Sequence, residues 1–196
     1  MYFLLRKIVL LVYKIAYNLS FEGLENIPDE GGYIYASNHR SYADPVLISI
    51  PVKKRFAYMA KEELFKNPFF AALIRTLGAF PVVRGSGDMK VIDTAVEKLE
   101  SGKNLVIFPE GTRSKDGKVG KGKTGVAMIA AMTGADVIPV GIVFDGKLSF
   151  RKKVVVKYGK PVHSSQLALS EKPSPKELKA VKLKIMDSIT ELVEEN

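Results

Sequence analysis

The sequence predicts an α/β fold in a single domain: a mixed, largely parallel sheet flanked by helices, with an N-terminal amphipathic membrane-interface helix. Three observations predict it. Short apolar runs such as Tyr33-Ile34-Tyr35-Ala36 and Asn104–Phe108 read as buried strands. Segments of helical period alternate with them along the chain. Residues 2–17 form an apolar stretch broken only by Arg6, Lys7 and Lys14. At 196 residues the chain is long enough for one substantial core. The expected division is a helix over 1–18 and an α/β domain over 19–196.

The longest uncharged stretch of the first segment, Ile8–Tyr13, is far shorter than the roughly 20 residues needed to span a bilayer. At about 100° per residue Lys7 and Lys14 nearly eclipse, with Arg6 and Asn18 flanking the same side. A wide apolar face with a narrow basic stripe suits a membrane interface, each cation contributing on the order of 1 kcal/mol at an anionic surface. The same pattern fits a helix packed on its own domain. A secretory signal fits less well, because the charges follow the first apolar residues and no small-x-small cleavage site comes after them.

Gly31-Gly32 introduces a strand over 33–37, and Ser41 reads as the N-cap of a helix to about 50. Pro51 ends that helix, and Phe56–Ala60 is the next strand. Residues 61–70 turn from charged to aromatic and lead into a helix to about Leu77, before the extended piece Gly78–Arg84. Residues 87–100 place Val91, Ala95, Val96 and Leu99 on one helical face. The strand Asn104–Phe108 opens a glycine- and lysine-rich loop to about 121. A helix over 123–133 and strands over 136–144 and 153–158 follow. Ser174-Pro175-Lys176-Glu177 is a capping box with proline at its first helical position, and it opens a last helix carrying Leu178, Val181, Ile185, Ile189 and Leu192 on one side.

Composition excludes several chemistries. With no cysteine there is no disulfide, thiolate nucleophile or cysteine zinc site, which fits a reducing compartment. Only His39 and His163 are present, so a histidine metal site is not expected and the metal expectation is none. A net charge of +9 calls for an anionic partner: phosphate, acidic lipid or nucleic acid. Nucleic acid is the weakest of these, since no aromatic-interleaved basic motif or recognition helix is evident.

The most informative stretch is Asn38-His39-Arg40-Ser41-Tyr42-Ala43-Asp44-Pro45. His39 lies at a strand end just before a helix start, a place where a scaffold fixes a side chain while leaving it reachable. An imidazole with an intrinsic pKa of about 6.5 can take a proton near neutrality, and a carboxylate can hold its tautomer. Asp44 is the candidate carboxylate. It also fits a capping box begun by Ser41, and the two roles are compatible.

A second constellation follows the Asn104–Phe108 strand as Pro109-Glu110-Gly111-Thr112-Arg113-Ser114. Pro109 ends strand pairing, Gly111 permits unusual backbone angles, and Arg113 offers a planar fork suited to phosphate. Gly78–Arg84 ends in another arginine. Residues 117–124 match the phosphate-loop pattern G-x-x-x-x-G-K-[ST]. That pattern needs its first glycine at a strand end, whereas a polar segment separates Phe108 from Gly117. Lys123 and Thr124 are accordingly expected to lie outside the site.

Taken together, NHRSYADP, GAFPVVR, FPEGTRS and VIPVGI, in this order over about residues 38–142, resemble the glycerolipid acyltransferase family, in particular its bacterial 1-acylglycerol-3-phosphate (lysophosphatidate) acyltransferases. The resemblance implies that His39 and Asp44 are catalytic. It implies that Glu110, Gly111 and Thr112 belong to the acceptor-binding loop, and that Lys61, Arg84 and Arg113 bind the acceptor phosphate. Pro139 matches the proline of the fourth block. Many members carry a longer two-helix hydrophobic anchor than the 38 residues preceding His39.

The implied reaction moves a fatty acyl group from acyl carrier protein or coenzyme A to the sn-2 hydroxyl of a lysophospholipid, giving phosphatidic acid at the cytoplasmic face of the cell membrane, with the enzyme peripheral or monotopic. No cofactor is implied, because the thioester supplies the driving force. Other acceptors within the family, a non-catalytic membrane-surface protein and a nucleotide hydrolase are the alternatives.

Overall fold

A computed structural model describes residues 2–82, 89–167 and 172–195. Helix α1 (Tyr2–Ala16) leads into strand β1 (Asn18–Glu22). There follow β2 (Ile34–Ser37), α2 (Asp44–Ser49), β3 (Phe56–Lys61), α3 (Pro68–Thr76), β4 (Ala79–Val82), α4 (Met89–Glu100), β5 (Asn104–Ile107), α5 (Gly125–Thr133), β6 (Val137–Val143), β7 (Lys153–Tyr158) and α6 (Pro175–Glu194). The strands form one sheet in the order β1-β7-β6-β2-β5-β3-β4. From β6 to β4 all neighbours run parallel, whereas β7 is antiparallel to β6 and β1 runs parallel with β7. The mixed, largely parallel sheet is the expected one.

The strands β2 and β5 are buried on both faces, and their residues alternate between two apolar layers. Ile34, Ala36, Leu105 and Ile107 face α4, α5 and α6, where Leu99, Ile129, Ile185 and Ile189 are buried. Tyr35 and Val106 face the other way, toward Leu47 and Ile48 of α2 and the partly buried Leu10 and Tyr13 of α1. Gly141 lets α6 approach β6 closely: a Cβ there would come within 2.8 Å of Leu192 Cβ. The Ser174 capping box forms as expected, with both reciprocal bonds to Glu177.

The structure corrects the sequence reading at three places. Strand β1 was not anticipated; its residues are only partly buried, and it pairs Asn18 with Lys153 at the sheet edge. Helix α2 begins at Asp44 with Ala43 as its N-cap, so Ser41 lies in the preceding turn. Arg6 does not extend the basic stripe of α1. It donates to the carbonyls of Ser49 and Lys53, at 3.2 and 3.4 Å, and to that of Val52, satisfying one orphan carbonyl of α2 and two in the turn that follows it.

Helix α1 therefore presents one side to the domain through Arg6, Leu10 and Tyr13. Leu4, Ile8, Leu11, Val12 and Ile15 on its other side are exposed. Leu4, Leu5 and Ile8 meet Ala72, Leu73 and Thr76 of α3 across an apolar groove of about 400 Å³. No helix among the described residues is long and apolar enough to cross a membrane.

Candidate active site

His39 follows β2 by two residues, at the carboxyl end of the parallel strands, where open α/β sheets gather ligand-binding groups. The chain is fixed on both sides of it. Asn38 Nδ2 donates to Ile142 O at 2.9 Å, and Ile142 N donates to Asn38 Oδ1 at 2.8 Å, so the asparagine side chain extends the pairing of β2 with β6. On the β5 side, His39 N donates to Glu110 Oε1 at 3.0 Å and Ser114 N donates to His39 O at 2.7 Å. The backbone of His39 is thus gripped by the segment that follows β5.

The imidazole Nδ1 lies 2.8 Å from Asp44 Oδ2. That oxygen also accepts from Arg40 N at 2.6 Å and Ser41 N at 2.7 Å. An ionised carboxylate only accepts, so Nδ1 carries the proton and donates, leaving Nε2 with a lone pair. Asp44 is fully buried and His39 is only 6% exposed, which keeps water from competing for this bond. Ser41 is not the N-cap of α2, and its hydroxyl accepts from Ala43 N at 3.1 Å. The expected capping box therefore does not form, and the bond from Ser41 N to Asp44 Oδ2 closes the turn before α2 instead. Its second oxygen, Oδ1, is buried without a hydrogen-bond partner.

Phe108 stacks on His39, with ring centroids 4.0 Å apart and planes 18° from parallel. Glu110 turns its carboxylate inward, where burial pushes its pKa up while the backbone N–H groups of His39 and Gly120 pull in the opposite direction. Gly111 adopts φ of +72°, and its N–H closes a tight turn onto Phe108 O at 3.0 Å. Thr112 and Arg113 are exposed beyond that turn. The Arg113 guanidinium lies 3.7 Å above the ring of Tyr42, and Tyr42 is itself 75% exposed.

Of the residues expected at the site, His39, Asp44, Glu110, Gly111 and Arg113 come together around one strand end, with Thr112 on the same loop. Lys61 ends β3, on the far side of β5, and its ammonium lies 3.7 Å from Glu63. Arg84 lies outside the described residues. Pro139 lies within β6, opposite Ala36 of β2. No group of three or more metal-ligating side chains occurs among the described residues.

Sequence reasoning missed two supports. Phe108 reads as the end of a strand, and only the fold reveals that it faces His39. Arg40 reads as a motif cation, yet it donates to the carbonyls of Phe144 and Gly146 and lies 4.0 Å above the Phe144 ring, tying the β6–β7 connection to the site. Lys123 was expected outside the site; its backbone N–H donates to Pro109 O at 2.8 Å, and its side chain lies against Gly111. The phosphate-loop match itself fails, because Gly117 lies ten residues beyond the end of β5 at Ile107.

The family described as Acyltransferase matches residues 18–143. The chain is 32% identical to the chloroplastic 1-acyl-sn-glycerol-3-phosphate acyltransferase of Arabidopsis thaliana, over 76% of this chain and 45% of that protein. It is 32% identical to the 1-acyl-sn-glycerol-3-phosphate acyltransferase of Bacillus subtilis, over 86% of this chain and 84% of that one. The chain thus spans about half the length of the plastid relative and most of the bacterial one. The crystal structure of a 1-acyl-sn-glycerophosphate acyltransferase from Thermotoga maritima superposes with a TM-score of 0.74 at 34% identity, covering 97% of this chain and 79% of that one.

Proposed function

The chain belongs to the acyltransferase family, and from that premise we propose that it transfers a fatty acyl group from an acyl thioester to the sn-2 hydroxyl of 1-acylglycerol-3-phosphate, giving phosphatidic acid. The relatives named above carry that acceptor in their names. The observation that carries the reading is the 2.8 Å bond from His39 Nδ1 to the buried Asp44, which leaves Nε2 as the basic nitrogen.

In the proposed reaction Nε2 takes the hydroxyl proton as the oxygen attacks the thioester carbonyl carbon. The resulting imidazolium is stabilised by Asp44, as in a Ser-His-Asp triad with the substrate hydroxyl in place of serine. Collapse of the tetrahedral intermediate breaks the C–S bond, and His39 returns the proton to the departing thiolate. A positioned base of this kind contributes about 10² to 10⁴ in rate. Arg113, held over Tyr42, meets the acceptor phosphate, with Lys61 and Arg84 as further cations of the same site. Glu110, Gly111 and Thr112 shape the loop beneath it. The thioester supplies the driving force, so the proposal includes neither cofactor nor metal. Acyl carrier protein or coenzyme A serves as donor carrier.

We further propose that the protein works peripherally or monotopically at the cytoplasmic face of the cell membrane. Support comes from the exposed Leu4, Ile8, Leu11, Val12 and Ile15 of α1, flanked by Lys7 and Lys14, and from Phe69 on α3, which is 87% exposed.

The test is thiol release from an acyl thioester with and without lysophosphatidate, with phosphatidic acid measured in parallel. Acceptor-dependent release that disappears in His39→Ala supports the reading. Release that ignores the acceptor, or survives that substitution in folded protein, refutes it.

A further inference from the structure

The loop between β5 and α5 closes on itself, since the bond from Lys123 N to Pro109 O sets its last residues beside its first. The Lys123 side chain then crosses the turn at Gly111. A Cβ built on Gly111 would meet both Cε and Nζ of Lys123 at 3.2 Å. Glycine at 111 thus takes the left-handed φ of the turn and also leaves the ammonium lying against bare backbone. Glu110, the carboxylate next to this turn, already accepts from the N–H groups of His39 and Gly120. Among the described residues Lys123 is not in an ion pair.

We propose that Lys123 is a further phosphate-binding residue of this site, supplying a second cation beside Arg113 for the phosphate of the acyl acceptor. The inference rests on the acyltransferase reading and extends it to a residue at the other end of the loop. The geometry selects the acceptor phosphate over the donor's. The segment holding Gly111 and Arg113 is bonded to His39 itself, through Glu110 Oε1 and Ser114 N. In a 1-acylglycerol-3-phosphate only two carbons and an ester oxygen separate the reacting hydroxyl oxygen from phosphorus. With the hydroxyl at Nε2, so short a link keeps the acceptor phosphate within reach of the loop bonded to His39, whereas the donor's phosphates lie a pantetheine arm away. The two cations complement each other, arginine as a planar fork and lysine as a compact point charge on a flexible stem. Together they favour a phosphate monoester over a neutral glyceride.

The test compares Lys123→Met, Lys123→Gln and Lys123→Arg in the full chain, with lysophosphatidate as dilute monomer and the donor thioester saturating. Both neutral variants are expected to raise KM for lysophosphatidate about tenfold or more while changing kcat little. The arginine variant is expected to hold KM within about twofold of wild type, because the charge is retained. KM for a monoacylglycerol should stay put, and competitive inhibition by inorganic phosphate should weaken by the same factor as lysophosphatidate binding. Unchanged KM and unchanged phosphate inhibition in the neutral variants overturn the proposal. So does a rise in KM for the thioester alone, or a loss that Lys123→Arg fails to rescue in folded protein. Titration with glycerol 3-phosphate, followed by calorimetry, separates this proposal from the one beneath it. Lys123-dependent binding without any acyl transfer by the wild-type chain upholds the anion site and refutes the acyltransferase reading.

Discussion

Phe108 and His39 are parallel neighbours, the phenyl ring 4.0 Å from the imidazole centroid to centroid, at the point where β5 hands over to the Glu110–Arg113 loop. In the proposed mechanism the contact places an aromatic face against a ring that becomes cationic during turnover. Such a pair contributes about 0.5–1.5 kcal/mol beyond burial. Phe108→Leu is therefore expected to lower kcat by about two- to tenfold with KM nearly unchanged, and Phe108→Tyr to stay close to wild type. Initial rates check this; a change confined to KM would show that the ring shapes substrate binding instead.

Asp44→Asn separates orientation from charge. The amide oxygen can still accept from Arg40 N and Ser41 N, so the turn before α2 survives. The negative charge facing the imidazolium is gone, and turnover should fall on the order of 10² to 10⁴. Turnover per folded molecule is set against melting temperature. A large thermal loss with turnover preserved would leave Asp44 only the residue that holds the turn before α2.

If Arg113 meets the acceptor phosphate as proposed, Arg113→Ala removes a charge-assisted contact of roughly 1.5–3 kcal/mol. KM for lysophosphatidate should rise accordingly, with little change for monoacylglycerol. Tyr42→Ala takes away the ring beneath the guanidinium, an exposed cation–π contact of about 0.5–1 kcal/mol, and should produce a smaller rise of the same selectivity. Equal losses on both acceptors would make Arg113 structural.

The two sides of α1 should separate by experiment. Arg6→Met strips three carbonyls at the end of α2 of their donor and is expected to lower the melting temperature, at a cost of about 1–3 kcal/mol. Leu11→Gln with Ile15→Gln changes exposed positions only, so stability should hold while sedimentation with anionic vesicles weakens. Vesicle binding that is unchanged in the double variant would place the membrane contact elsewhere.

Glu110 gives a pH signature with a definite sign. Its folded-state pKa is raised by burial, so its protonated form is favoured by folding. That contribution is present below the ordinary glutamate range and is lost as pH rises through the folded value. The stability of wild type relative to Glu110→Gln should therefore decline from acid toward neutral pH. Parallel denaturation curves at pH 4 and pH 7 measure the difference, and an increase over this interval would contradict the assignment.

Strands β2, β5 and β6 were legible because they are buried on both faces and so read as nearly unbroken apolar runs. His39, Asp44 and the Glu110–Arg113 loop could be singled out because they follow two apolar runs in a combination that resembles a family motif set, and the fold brings the ends of those runs together. Strand β1 was not legible: Asn18–Glu22 alternates Leu19 and Phe21 with polar residues, but it is only five residues long and follows directly on the apolar helix α1, which masks the alternation. The division of α1 into a packed side and an exposed side was hidden as well. Both sides are apolar, and only the position of α2 distinguishes them. The position of Lys123 was not legible, because its distance from β5 along the chain does not show that the loop closes on itself and brings Lys123 N to Pro109 O.

The pairing of β1 with β7 has a consequence for biosynthesis. Asn18 finds its partner in Lys153, with more than half of the chain between them. While the ribosome is still making the middle of the protein, β1 has no strand to pair with, and α2, on which α1 rests, has no completed sheet beneath it. The nascent N-terminal segment is then a free apolar helix with basic residues, chemically ready to adsorb to a bilayer before the catalytic domain exists. Closing so distant a contact is also slow. If the protein works at a membrane as proposed, contact with the bilayer is expected to precede completion of the sheet, and a ribosome-bound chain stopped short of β7 should already sediment with anionic vesicles.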